Sequence, residues 1–259
     1  MTAAIHPNAL PAVRNRLQTG AITWDRTLFM LLFRSLGFLA VQAAIALIFL
    51  LAGRPDPWEA SIAWWPLAAT VVSLATLAML VWATGREGLR YVDLLSARRD
   101  TLLADIGWFL LVSLLAGPIS FLPMQWLSAV LFGDPQAAGG MMFRALPGWA
   151  AIILFIAFPL TVALTELPLY FGYVMPRLEA LSGKTWLAVL LPAIFLAAQH
   201  CALPLIFDWR FVAWRAVMFL PFALLLGIAL RLRPSLMPYL IVGHFLIDLS
   251  SAYFFVAIS

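Results

Sequence analysis

Seven apolar stretches, near residues 28–52, 61–84, 104–131, 148–176, 186–207, 211–231 and 235–256, constrain this chain more than any other feature. A bilayer core takes about 20 apolar residues per helical crossing, and a backbone inside it must satisfy its hydrogen bonds internally. Each stretch therefore predicts a spanning helix. Composition agrees: 64% of residues are apolar and 11% charged, against about 25% charged in soluble domains, and mean hydropathy is +0.99. The expected fold is all-α, a polytopic transmembrane helical bundle of about seven spans, with six and eight as neighbouring counts. Gly117, Pro118 and Pro123 interrupt the third stretch and are the reason for the higher count.

Three regions follow. Residues 1–27 read as a polar cytoplasmic segment, 28–146 as the amino-terminal spans, and 147–259 as a transmembrane core with the unusual polar residues. The first apolar run exceeds the 7–15 residues of a signal-peptide core, which predicts an uncleaved helix. The segment 85–105 places Leu89, Val92 and Leu95 or Leu102 among charges, as an amphipathic helix on a membrane surface would.

Charge sets the orientation. With seven spans, Arg14, Arg16, Arg26, Arg86, Arg90, Arg98, Arg99, Arg177, Lys184, Arg231 and Arg233 share one side, while Arg54, Arg144, Arg210 and Arg215 lie on the other. The positive-inside rule then predicts a multi-pass cell-membrane protein, amino terminus in the cytoplasm and carboxyl terminus outside. Arg34, within the first span, is expected to snorkel to the interface. The basic residues are scattered without a run, which argues for a lipid bilayer and against nucleic acid as partner. Trp58, Trp64 and Trp65 read as an interfacial belt. The lone Cys201 excludes an intramolecular disulfide and reads as a small filler.

Glu166, His200, His244 and Asp248 sit inside the apolar stretches. An ionisable group at the bilayer centre costs about 2.5–3.5 kcal/mol on insertion scales, so such groups mark function by default. At the helical rise, Glu166 lies roughly 16 Å from Arg177, His200 roughly 24 Å from Lys184, and His244 and Asp248 roughly 16 and 22 Å from Arg233. Comparable depth predicts one shared cavity. His244 and Asp248 have i, i+4 spacing and share a helix face. Pro168 lacks an amide hydrogen and frees the carbonyl of Leu164, predicting a kink or gap beside Glu166. Further breaks near Pro192 and Pro204 offer openings for water.

These residues carry a resemblance. Glu166-Leu-Pro-Leu-Tyr-Phe-Gly172-Tyr173, then Phe195-Leu-Ala-Ala-Gln-His200, then His244-Phe-Leu-Ile-Asp248 resemble, in order and spacing, the three motifs of the CPBP family of CAAX-processing, bacteriocin-processing and Abi-type intramembrane endopeptidases. The likeness covers residues 160–252, and Gly227 falls where such proteins often have glycine. The first motif departs from the family pattern: Leu167 and Phe171 stand where a second glutamate and an arginine are usual. Many members have asparagine in place of Asp248, and Phe195 falls one position early.

The resemblance implies an intramembrane endopeptidase acting on a membrane-embedded or lipid-anchored peptide or protein. Glu166, assisted by His200, would activate water; His244 and residue 248 would stabilise the oxyanion, with the aspartate orienting His244. No cofactor is implied. The alternatives are a zinc-dependent membrane protease using Glu166, His200, His244 and Asp248 as ligands, and a non-catalytic scaffold, immunity-type factor or proton-coupled carrier. Intramembrane histidines and acids also serve as helix-to-helix hydrogen-bonding groups. Gly172, Gly227, Gly243, Tyr170 and Tyr173 read mainly as packing residues.

Overall fold

A computed structural model describes residues 6–95 and 100–259. These form α1 (Leu10–Gln18), α2 (Trp24–Leu51), α3 (Pro57–Ile62), α4 (Trp65–Gly85), α5 (Leu102–Phe132), α6 (Ala137–Met142), α7 (Gly148–Ala163), α8 (Met175–Ser182), α9 (Thr185–Gln199), α10 (Trp209–Met218), α11 (Leu220–Leu232) and α12 (Met237–Ala257). No strand occurs among the described residues. Seven helical segments are long and apolar enough to cross a membrane: Trp24–Leu51, Trp65–Gly85, Leu102–Phe132, Gly148–Ser182, Thr185–Ala202, Trp209–Leu232 and Pro234–Ala257. The chain is a multi-pass membrane bundle.

The third span stays whole. α5 runs unbroken through Pro118 and Pro123, so the eight-segment count is not realised. Each proline removes one donor, and membrane helices tolerate that when the remaining ladder continues. α5 is also peripheral: Leu103, Leu110, Leu114 and Leu122 face outward, and only Asp105, Val112 and Ser128 are buried. It rests on α10 and α11, while α12 packs chiefly on α7.

The segment 85–105 is not one amphipathic helix. Gly88 turns the chain in the left-handed region at φ +70, and a 3-10 turn follows at Tyr91–Leu94. Leu94, outside the expected apolar stripe, is buried, and Val92 is exposed. Residues 96–99 of that expectation lie outside the described residues, as do Arg98, Arg99 and the first five residues of the amino-terminal segment. From His6 on, that segment is ordered against the bundle. α1 packs on α8, and the Asn8 side-chain amide donates to the carbonyl of Gly172 at 2.7 Å.

Two apolar cores stabilise the bundle. One gathers Leu31, Leu80, Tyr170, Tyr173, Leu196, Leu226 and Met237 near the arginine-rich end. The other joins Phe38, Ile62, Trp65, Phe158, Trp214 and Phe255 toward the opposite end. Trp65 is thus a core residue and not part of an interfacial belt: its ring meets Phe158 edge-on at 4.9 Å. Trp58 keeps a polar contact, its indole donating to the carbonyl of Leu205.

Candidate functional site

The fourth span is where the regular helix breaks. α7 ends at Ala163, a turn covers residues 164–165, and Pro168–Val174 winds as a π-helix before α8. π segments interrupt the i→i−4 ladder and occur often at functional sites. The proline supplies the local cause, because its missing amide hydrogen leaves the carbonyl of Leu164 without a helical donor. That carbonyl accepts instead from the phenol of Tyr91, in the turn after α4. Burial pushes the Tyr91 phenol up to about 12, so it remains a donor. The kink expected beside Glu166 is real, and a tyrosine from another segment closes it.

Glu166 follows the turn and is buried. Its Oε2 accepts from Nε2 of Gln199 at 2.6 Å and lies 3.4 Å from the guanidinium of Arg34. Its Oε1 faces Nε2 of His244 at 3.6 Å, beyond a direct hydrogen bond. The same nitrogen is 3.3 Å from Oδ2 of Asp248, one helical turn on. Glu166, His244 and Asp248 are therefore assembled, with the imidazole between two carboxylates. The side chains of His244 and Asp248 are 14% and 15% exposed, so the cluster borders the bundle's surface.

His200 stands apart in its bonding. It begins the 3-10 turn that ends α9, its Nδ1 pairs with the carbonyl of Leu196 at 2.8 Å, and its ring stacks on Phe219 at 4.0 Å. The charge of Glu166 still reaches it. With a proton on Nδ1, Nε2 presents a lone pair. The arginine Arg215 donates to the carbonyls of His200 and Leu203 and locks the turn.

Two members of the site were missed in the sequence. Arg34 does not snorkel: it is fully buried, donating to Oε1 of Gln199 at 2.9 Å, to Ser73 at 3.1 Å and to Thr165 at 3.2 Å. Its register explains this. Met30, Arg34, Phe38, Gln42 and Ala46 recur every fourth residue and are the buried stripe of α2. The second is Gln199, which binds Glu166 and Arg34 and whose Oε1 also accepts from Tyr170 at 3.1 Å. A polar amide in mid-span was the available signal.

Leu167 and Phe171, at the two departures from the family pattern, are both buried in apolar packing. The ring of Phe171 fills the space beside Gly227, where an added Cβ would lie 2.9 Å from Cε1. Gly172 and Gly243 likewise sit against Leu94 and Phe109, so the three glycines are packing sites. Among the described residues, no three His, Cys, Asp or Glu side chains converge closely enough to hold a metal ion.

The arrangement leaves polar capacity unspent. His244 Nδ1 and Asp248 Oδ2 are buried without a hydrogen-bond partner. Buried polar atoms are ordinarily satisfied, and exceptions need a reason such as a reacting or binding role. No family model, curated protein or solved structure matches the chain.

Proposed function

We propose that this protein is an intramembrane endopeptidase that cleaves a membrane-associated peptide with water activated at Glu166. The observation that carries the reading is the division of labour at that carboxylate: Gln199 and Arg34 hold Oε2, while Oε1 faces His244. A carboxylate fixed through one oxygen has the other available as a general base. The motif resemblance around Glu166, His200 and His244 supplies the reaction class.

In this reading Oε1 of Glu166 takes a proton from water as the oxygen attacks the peptide carbonyl. The Nε2–H of His244 donates to the developing oxyanion, and the Asp248 carboxylate, 3.3 Å from the same nitrogen, acts on the ring through its charge. The proton held by Glu166 then passes to the leaving amine, releasing both products. His200 assists with the lone pair on Nε2. Arg34 provides the positive charge near Glu166 that no arginine in the π-helix supplies. By the positive-inside rule the amino terminus lies in the cytoplasm and the carboxyl terminus outside, which reporter fusions at the two ends would test.

Comparative proteomics of membrane peptides in cells carrying wild type or Glu166→Gln tests the activity. A cleavage product lost in the variant supports the reading; identical peptide sets in both strains overturn it. One observation favours a second reading, a proton-coupled carrier, because an imidazole between two carboxylates is also a proton relay. Proton flux in liposomes that stops in Glu166→Gln, without any lost cleavage product, would select it.

A further inference from the structure

A cavity of about 480 Å³ opens at the arginine-rich end of the bundle, where the amino-terminal segment, the start of α5, the π-helix, α8 and the α11–α12 connection meet. Its size falls within the about 300–1,000 Å³ of ligand pockets. Phe171, Met175, Leu230 and Met237 make an apolar floor, and Arg231 and Arg233 stand at its wall. It is separate from the Glu166 cluster: none of Glu166, His200, His244 and Asp248 lines it.

The charges that line it do not balance. Glu179 accepts from Arg231 and Thr185. Asp105, buried behind the wall, accepts from Arg233, Ser235 and Thr101. Arg231 and Arg233 line the cavity with one acid, Glu179, which is already engaged. Arg231 spends one terminal nitrogen on Glu179 at 2.7 Å, and its Nε is buried with no hydrogen-bond partner. The cavity of about 560 Å³ at the opposite end differs: Arg54 and Arg144 face Asp56 and Glu59, two charges against two.

We infer that the basic cavity binds the phosphate of an anionic membrane lipid. Guanidinium forks match phosphate oxygens, the Arg231 side chain on the lining is 37% exposed and offers its guanidinium, and the apolar floor takes the first carbons of the tails. The position agrees, since the arginine-rich end faces the anionic cytoplasmic leaflet by the positive-inside rule, and basic pockets between spanning helices hold such headgroups. The inference does not depend on the protease reading.

The test is native mass spectrometry of the full chain in detergent, titrated with phosphatidylglycerol, phosphatidylcholine or inorganic phosphate. Phosphatidylglycerol should bind in preference to phosphatidylcholine and resist displacement by inorganic phosphate. Arg231→Gln should weaken its binding about fivefold, as expected for one arginine at an anionic lipid surface. Ala9→Trp fills the cavity from the amino-terminal segment without touching an ion pair, and should weaken binding at least as much. Arg54→Gln, at the other end, should change nothing. Equal binding of the two lipids, or full retention by Ala9→Trp, overturns the inference. Displacement by equimolar inorganic phosphate would assign the cavity to a soluble phosphate and overturn the membrane source.

Discussion

The guanidinium of Arg34 lies 3.4 Å from Oε2 of Glu166 and ties the first membrane helix to the fourth. Both groups are buried, and removing one partner of such a pair strands the other charge. Arg34→Ala should therefore lower stability by about 3–5 kcal/mol, read by thermal or denaturant unfolding in detergent. Arg34→Met with Glu166→Gln removes both charges and should recover part of that loss. An Arg34→Ala variant as stable as wild type would show that the pair does not hold the bundle.

Gln199 links the same two charges, accepting from Arg34 and donating to Glu166. Hydrogen bonds to charged groups contribute about 1.5–3 kcal/mol each. Gln199→Leu should cost at least that much and, with the protease active, lower cleavage while leaving some product. Measured unfolding and product yield in parallel separate the two effects.

Phe171 and Gly227 form a packing pair. A Cβ at position 227 would stand 2.9 Å from the Phe171 ring and 3.3 Å from Val189. Gly227→Ala should destabilise by about 1–3 kcal/mol through overpacking, and Phe171→Leu in the same chain should relieve part of it. Additive losses in a double-mutant cycle would show that the two positions are not coupled.

Tyr91 supplies the donor for the carbonyl freed by Pro168. Tyr91→Phe leaves that carbonyl unpartnered and should cost about 1–3 kcal/mol. The pH dependence follows from a phenol raised from 10.0 to about 12. The folded state holds the proton more tightly, so its stabilisation is fully present below pH 10.0 and declines as pH rises toward about 12. Unfolding of wild type and Tyr91→Phe between neutral and alkaline pH should converge only in that upper window.

Several site elements were legible before any coordinates. The i, i+4 spacing of His244 and Asp248 fixed their shared face, and Pro168 announced the break beside Glu166. The partner that closes the break was not legible, because Tyr91 lies 73 residues away in a segment whose apolar spacing suggested a surface helix. Arg34 had the inward register of its helix, yet register alone cannot distinguish a core-facing arginine from one that reaches the interface. Depth groups His200 with the site, but its ring pairs with its own helix and stacks on Phe219, a neighbour that only packing selects.

The sequence by itself determined the seven spans, because about 20 apolar residues in lipid must close their own backbone hydrogen bonds and the helix does so locally. It also determined the polar residues that lipid penalises. Tertiary structure alone decided their partners: Arg34 meets Glu166 across 132 residues and Gln199 across 165. Such contacts depend on which helix faces pack together, and no local preference encodes that choice.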